Sequence, residues 1–219
     1  MKRTHLNSIN YSMNNTRPGK VVCVGRNYVD HAKELGNDVP KEPLIFLKPP
    51  TTVIRNGDSV VLPPESTHVE YEGEIGVVIG KKLRRVSEEE ARGAVQQIVA
   101  VNDVTARDLQ RAEPQWTRGK GFDTFCPMGE PVAPPADLST LTVVTRVNGT
   151  ERQRAKGSDM VFSVPRVLSY ISQFMTLEPG DLVCTGTPAG VGKLSPGDEV
   201  EVEILGLSKV TNKVVAEQH

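Results

Sequence analysis

Residues 70–80, EYEGEIGVVIG, place the tightest constraint on what this chain can fold into. The run ends as an apolar strand and opens with carboxylates at every second position, Glu70, Glu72 and Glu74. Alternate side chains of an extended chain point to one face, so the three acids share one side while Tyr71, Gly73 and Ile75 share the other. Like charges so placed repel, and a strand bound for a core cannot leave them uncompensated. A fold that accepts this run must bring positive charge to it, from basic side chains or from a cation.

The rest of the chain reads as short strands between turn signals. KVVCVG (20–25) has the look of a buried strand, and RNYVDHAKELGND carries Tyr28, Ala32 and Leu35 at helical spacing, with Asn27 as the expected start cap and Gly36 as the stop. The proline-dense stretch 39–66 suggests irregular β structure. Ser87 and Glu90 form a capping box that opens a helix around SEEEARGAVQQ, followed by a strand in IVAVNDVT (98–105). The polar, glycine-containing segment 105–132 is too long for a mere connector. Asn148-Gly149 marks a hairpin, Ser163 caps a helix with Pro165 in its first turn, and two Pro-Gly-Asp turns each launch a strand. The expectation is a polar N-terminal arm over 1–19 and a single α+β domain over 20–219, strand-dominated, with three helices.

Composition removes several classes of partner. Lys plus Arg number 26 against 27 for Asp plus Glu, a formal net charge of -1, so no global field draws in nucleic acid or an anionic membrane. No run has the length of a membrane span, and the first twenty residues lack the apolar stretch of a signal peptide, which makes the cytoplasm the expected location. Cys23, Cys126 and Cys184 stand far apart beside apolar residues and read as small buried hydrophobes rather than a disulfide frame or zinc site.

Two carboxylates on one strand face and a third acid on another strand can converge on a cation; Glu72, Glu74 and Asp103 are the candidates. An all-oxygen set is hard, which favours Mg²⁺ or Mn²⁺, with Ca²⁺ as a third option. Glu70 reads as a solvated strand end that pairs with basic residues. His31 and Glu34, three apart on a helix, share a face, and a carboxylate that orients an imidazole makes a general base. Lys48, Arg107, Gln110 and Lys120 are candidates to hold an anionic substrate, and the TGTP turn at 185–188 offers hydroxyls and backbone N–H groups.

Taken together, VGRNYVDHAKE, EPLIFLKPPTT, YEGEIGVVIG, NDVTARDLQ, WTRGKGFDTFCPMGE, VNGTERQ and LVCTGTPAGVG make the chain resemble the fumarylacetoacetate hydrolase family over residues 20 to 205. The resemblance is to its short, single-domain branch and implies a mixed β-sandwich roll with a few short helices, usually a homodimer. It implies Glu72, Glu74 and Asp103 as metal ligands, His31 and Glu34 as a water-activating dyad on a lid segment, Lys120 as an active-site lysine, and Arg107, Gln110 and Thr187 as substrate contacts. The implied substrate is a small 2-oxo acid with an activated carbon 3. The implied reaction is hydrolysis of the C–C bond of a 3-acylpyruvate through a metal-stabilised enolate. The alternatives are oxaloacetate decarboxylation or tautomerisation, a 5-carboxymethyl-2-hydroxymuconate-type isomerisation or decarboxylation, and a non-catalytic, metal-dependent dicarboxylate binder.

Overall fold

The structure, a computed structural model, describes residues 17–218. Most of the arm expected over 1–19 therefore lies outside the described residues. Two five-stranded sheets form the body. The first runs in the order Leu44–Lys48, Val21–Gly25, Leu182–Cys184, Gly73–Ile79, Val95–Asn102. The second runs Thr150–Lys156, Thr142–Val147, Glu199–Ile204, Ser208–Ala216, Ser59–Leu62. Each sheet mixes one parallel pairing with antiparallel ones, Val21–Gly25 beside Leu182–Cys184 in the first and Ser208–Ala216 beside Ser59–Leu62 in the second.

The two sheets pack face to face through Ile75, Val77 and Ala100 of one and Val143, Val202 and Ile204 of the other. The Gly73–Ile79 strand is buried on both faces, which explains its apolar run. Its first residue must be glycine: a Cβ there would lie 1.9 Å from Thr145 Oγ1 of the opposing sheet. Helix Val164–Phe174 covers one end of this core with Val164, Val167, Leu168 and Ile171, and is capped by Ser163 with Pro165 in the first turn, as its sequence predicts. The Asn148-Gly149 hairpin and the Ser87/Glu90 capping box also form. The helix after Ser87 stops at Arg92, because the strand Val95–Asn102 claims the next residues for the sheet edge.

Three expectations change. Asn27 does not cap the first helix, Val29–Glu34; its amide instead bridges Phe162 and Thr185, donating to both carbonyls and accepting from Phe162 N. Distant backbone groups with no other partner outcompete the local N–H groups here. Two short helices beyond the expected three, Arg107–Ala112 and Thr117–Lys120, sit in the polar 105–132 segment, where four to six residues give no readable period. Glu70 is buried rather than solvated: it accepts from Arg107 Nε at 2.7 Å and lies 2.8 Å from His68 Nε2. The cysteines are free and buried as expected, and burial pushes the Cys23 thiol up to about 11. No helix among the described residues is long and apolar enough to cross a membrane.

Candidate active site

The acid-bearing run breaks at Glu72. Residues Val69–Tyr71 pair in a small three-stranded sheet with Thr105–Ala106 and Gly192–Lys193, whereas Gly73–Ile79 belongs to the large one. Glu72 is thus the residue at which the chain changes sheets. Its N–H donates to Asn102 Oδ1 at 2.9 Å and its carbonyl accepts from Asp103 N at 2.8 Å. Because Gly73 pairs in register with Asn102, this switch sets Asp103 opposite Glu72. Carboxylate oxygens of Glu72, Glu74 and Asp103 all lie within 4.8 Å of one another, and the three residues are 1–4% exposed.

Basic side chains supply part of the compensating charge. Lys120 Nζ bridges Glu72 Oε2 and Asp103 Oδ2, both at 2.7 Å. Arg107 donates to Glu72 at 2.5 Å, to Glu70, and to Gln110 Oε1 at 2.5 Å. Lys48, a sequence candidate for substrate binding, is committed elsewhere: it donates to Asp103 Oδ1 at 2.5 Å and to the Val104 carbonyl at 3.0 Å. Its role is to hold Asp103.

Glu74 lacks such a partner. It accepts the Gly186 N–H at 2.8 Å, and among the described residues no ion pair reaches it. Burial pushes its carboxyl well above the usual range, and the neighbouring charges of Asp103 and Glu72 push the same way. Burial also works to raise Glu72, but Lys120 and Arg107 outweigh it and hold that carboxyl well below the usual range. The contrast locates the missing positive charge beside Glu74. Three buried carboxylates with no thiol or imidazole in the set fit a hard divalent cation of the Mg²⁺ or Mn²⁺ kind, with these side chains holding it.

The triad forms the floor of a cavity of about 510 Å³ that is also lined by His31, Arg107, Gln110, Lys120 and Thr187. All nine of the sequence-derived site residues except Glu34 therefore face one space. His31 is buried, and its Nδ1 lies 3.4 Å from Glu34 Oε2, while Glu34 also accepts the Gly190 N–H at 3.1 Å. Glu34 thus stands behind the ring. Burial lowers the His31 pKa and, with a lesser contribution from Arg107, outweighs the opposing pull of Glu72 and Glu34, which favours the neutral ring at pH 7. Its Nε2 has no hydrogen-bond partner among the described residues. Thr187 Oγ1 donates to the Gly73 carbonyl at 3.0 Å and accepts from Gln153 Nε2 at 2.8 Å.

Several contributors escape a reading by residue type. Gln153, 1% exposed, also accepts the Gly73 N–H at 3.0 Å and donates to the Pro188 carbonyl at 2.8 Å, tying the acid-bearing strand to the TGTP turn. Its place in VNGTERQ is the only sequence signal for it. Phe46 and Trp116 form an aromatic wall, ring centroids 5.2 Å apart, with Lys120 Nζ 5.0 Å from the Phe46 ring and the Arg26 guanidinium 5.9 Å from the Trp116 ring.

Comparison with known proteins gives the family. The domain described as Fumarylacetoacetate (FAA) hydrolase C-terminal matches residues 20–215. The human mitochondrial oxaloacetate tautomerase FAHD2A is 46% identical over 212 residues, covering 91% of this chain and 68% of that protein. Among solved structures, the 5-carboxymethyl-2-hydroxymuconate delta-isomerase of Mycobacterium smegmatis superposes with a TM-score of 0.86 at 40% identity, over 93% of this chain and 81% of that one. The 2-hydroxyhepta-2,4-diene-1,7-dioate isomerase of Mycobacterium marinum gives 0.85 at 41% identity, over 93% and 77%. With that coverage and the buried carboxylate triad in place, the chain belongs to the fumarylacetoacetate hydrolase family.

Proposed function

We propose that this chain is a divalent-metal-dependent enzyme that moves a proton between carbon 3 and oxygen of a small 2-oxo acid, a tautomerase or isomerase. The observation that carries the reading is a neutral His31 facing the same cavity as three converging carboxylates and a buried ammonium. Glu34, held by the Gly190 N–H, orients Nδ1 and leaves Nε2 as the basic nitrogen. His31 takes the carbon 3 proton; the C–H electron pair becomes the C2–C3 double bond, and the carbonyl pair moves onto the 2-oxo oxygen. Reprotonation on oxygen completes a tautomerisation, and reprotonation further along a conjugated chain completes an isomerisation. A bound Mg²⁺ or Mn²⁺ would supply Lewis-acid stabilisation of the charge developing on that oxygen. Lys120 adds a fixed positive charge beside it. Relatives whose names specify an oxaloacetate tautomerase and two isomerases of unsaturated diacids support this choice.

Hydrolysis of 3-acylpyruvates is the second reading, favoured by the His31–Glu34 pair, which can equally deprotonate a water. The two are separated by assaying Mg²⁺-loaded protein in parallel for oxaloacetate enol–keto conversion and for acetylpyruvate cleavage, with His31→Ala alongside. His31-dependent tautomerisation without cleavage supports the first reading. Cleavage of acetylpyruvate that needs His31 would replace it with the second. Full activity of either kind in Glu72→Ala with no bound metal would refute both.

A further inference from the structure

Resting on the reading of the site as a 2-oxo acid centre, the geometry points to Arg26 as the residue that selects a second, distal carboxylate on the substrate. The cations around the carboxylate triad are already neutralised within the protein: Lys48 by Asp103, Lys120 by Glu72 and Asp103, Arg107 by Glu70 and Glu72. Two lining cations, Arg26 and Arg111, have no carboxylate partner and no hydrogen bond among the described residues. Arg111 is exposed, whereas Arg26 is half-buried with its guanidinium 5.9 Å from the Trp116 ring. Glu113, the remaining acid on the cavity wall, is taken by Arg118 at 2.5 Å.

The backbone supports the same assignment. Arg26 has φ +57, the left-handed region that side-chain-bearing residues seldom occupy and glycine occupies freely. A large cation stands at a position where the backbone would prefer glycine, a cost that the surrounding contacts must offset. The preceding residue, Gly25, lies so close to the indole that a Cβ there would sit 2.8 Å from a Trp116 ring carbon. The close approach of Gly25 thus seats Arg26 against the wall formed by Trp116 and Phe46. That wall carries Lys120 at its metal end and Arg26 at the other. A substrate bound by its 2-oxo acid end at the carboxylate triad would lay its middle along the rings and present its far end to Arg26. A carboxylate is the group that a planar guanidinium, otherwise unpaired, recognises best.

The test uses ligands that differ by one charge, oxaloacetate and its 4-methyl ester, on Mg²⁺-loaded wild type, Arg26→Gln, Arg26→Gly and Arg26→Lys. Arg26→Gly relieves the left-handed backbone and controls for folding. For Gln and Gly the expected result is a loss of about 10- to 100-fold in kcat/KM on the diacid, carried by KM. The ester changes less than about 3-fold, and Lys recovers part of the loss. Equal losses on diacid and ester, or no loss on the diacid, would overturn the assignment, as would a selective loss in Arg111→Gln, which removes the exposed cation on the rim, in place of Arg26→Gln. Calorimetric binding of the same pair reads the preference without turnover. A charge-selective affinity that Arg26→Gln abolishes, in a protein that converts neither ligand, would retain Arg26 as the selector and reject the proposed reaction; equal affinity for both ligands, or selectivity unchanged in Arg26→Gln, would reject the role of Arg26 itself.

Discussion

Replacing Gln153 with Leu would test whether the site depends on the tie between the acid-bearing strand and the TGTP turn. Gln153 is 1% exposed and makes three hydrogen bonds: it accepts from Gly73 N at 3.0 Å and donates to Thr187 Oγ1 and to Pro188 O, both at 2.8 Å. Leucine matches its bulk and makes none of them. Thr187 keeps its bond to the Gly73 carbonyl, so the two groups left fully unpaired are the Gly73 N–H and the Pro188 carbonyl. At about 1–3 kcal/mol for each buried unsatisfied group, the expected loss is about 3 kcal/mol. In a domain of this size that is a fall in Tm of about 6–12 °C. Gly73 lies between Glu72 and Glu74, so loosening it should also weaken Mg²⁺ binding by about 10-fold, the lower end of what removing an outer-shell partner costs. Thermal denaturation followed by circular dichroism gives the first quantity, and calorimetric titration with Mg²⁺ below the transition gives the second. A Tm within about 3 °C of wild type together with unchanged Mg²⁺ affinity would refute the reasoning.

Three further predictions address other parts of the site. Lys48→Met removes the Asp103 and Val104 hydrogen bonds and should cost about 3–5 kcal/mol, as breaking a buried pair does, with saturating Mg²⁺ raising the Tm of the variant more than that of wild type; an equal rise in both would contradict the role given to Lys48. The kcat/KM profile should show an acidic limb below the ordinary histidine value of 6.5, because burial depresses the folded-state pKa of His31 and the base works only when neutral. The same depression means that the unfolded chain binds this proton more readily. The stability contributed by the neutral ring is complete above pH 6.5 and is lost as the pH falls through the folded value. His31→Gln should flatten both effects, and a wild-type limb at or above 6.5 would count against a buried neutral base. Gly186→Ala meets a backbone at φ +101 and places a Cβ 2.7 Å from that of Asn27, so it should destabilise by more than about 1 kcal/mol and loosen the N–H that holds Glu74. Wild-type stability in that variant would show that the turn can rearrange.

Much of the fold was legible because its signals are local. The Asn148-Gly149 hairpin, the Ser87/Glu90 box and the Ser163 cap each depend on residues within four positions, and each forms as read. The helices Arg107–Ala112 and Thr117–Lys120 were not legible, because they are too short to show a period and are held by tertiary contacts. The Asn27 amide could not be assigned from its neighbours, since its partners are 135 and 158 positions away.

The site divides along the same line. The sequence by itself determined the chemistry available: three carboxylates spaced to share a cation, an imidazole with an acid three residues on, and motifs that resemble one family. Only the tertiary structure decided how those groups are used. The change of sheet at Glu72 sets Asp103 opposite it, and pairings across 37 to 55 positions turn Glu70 into the anchor of Arg107 and Lys48 into the anchor of Asp103. Among the described residues, the same packing leaves Glu74 without a cation and Arg26 without an anion. Residue type fixes the sign of a charge, but which opposite charge neutralises it depends on distances of a few ångströms between segments far apart in the chain.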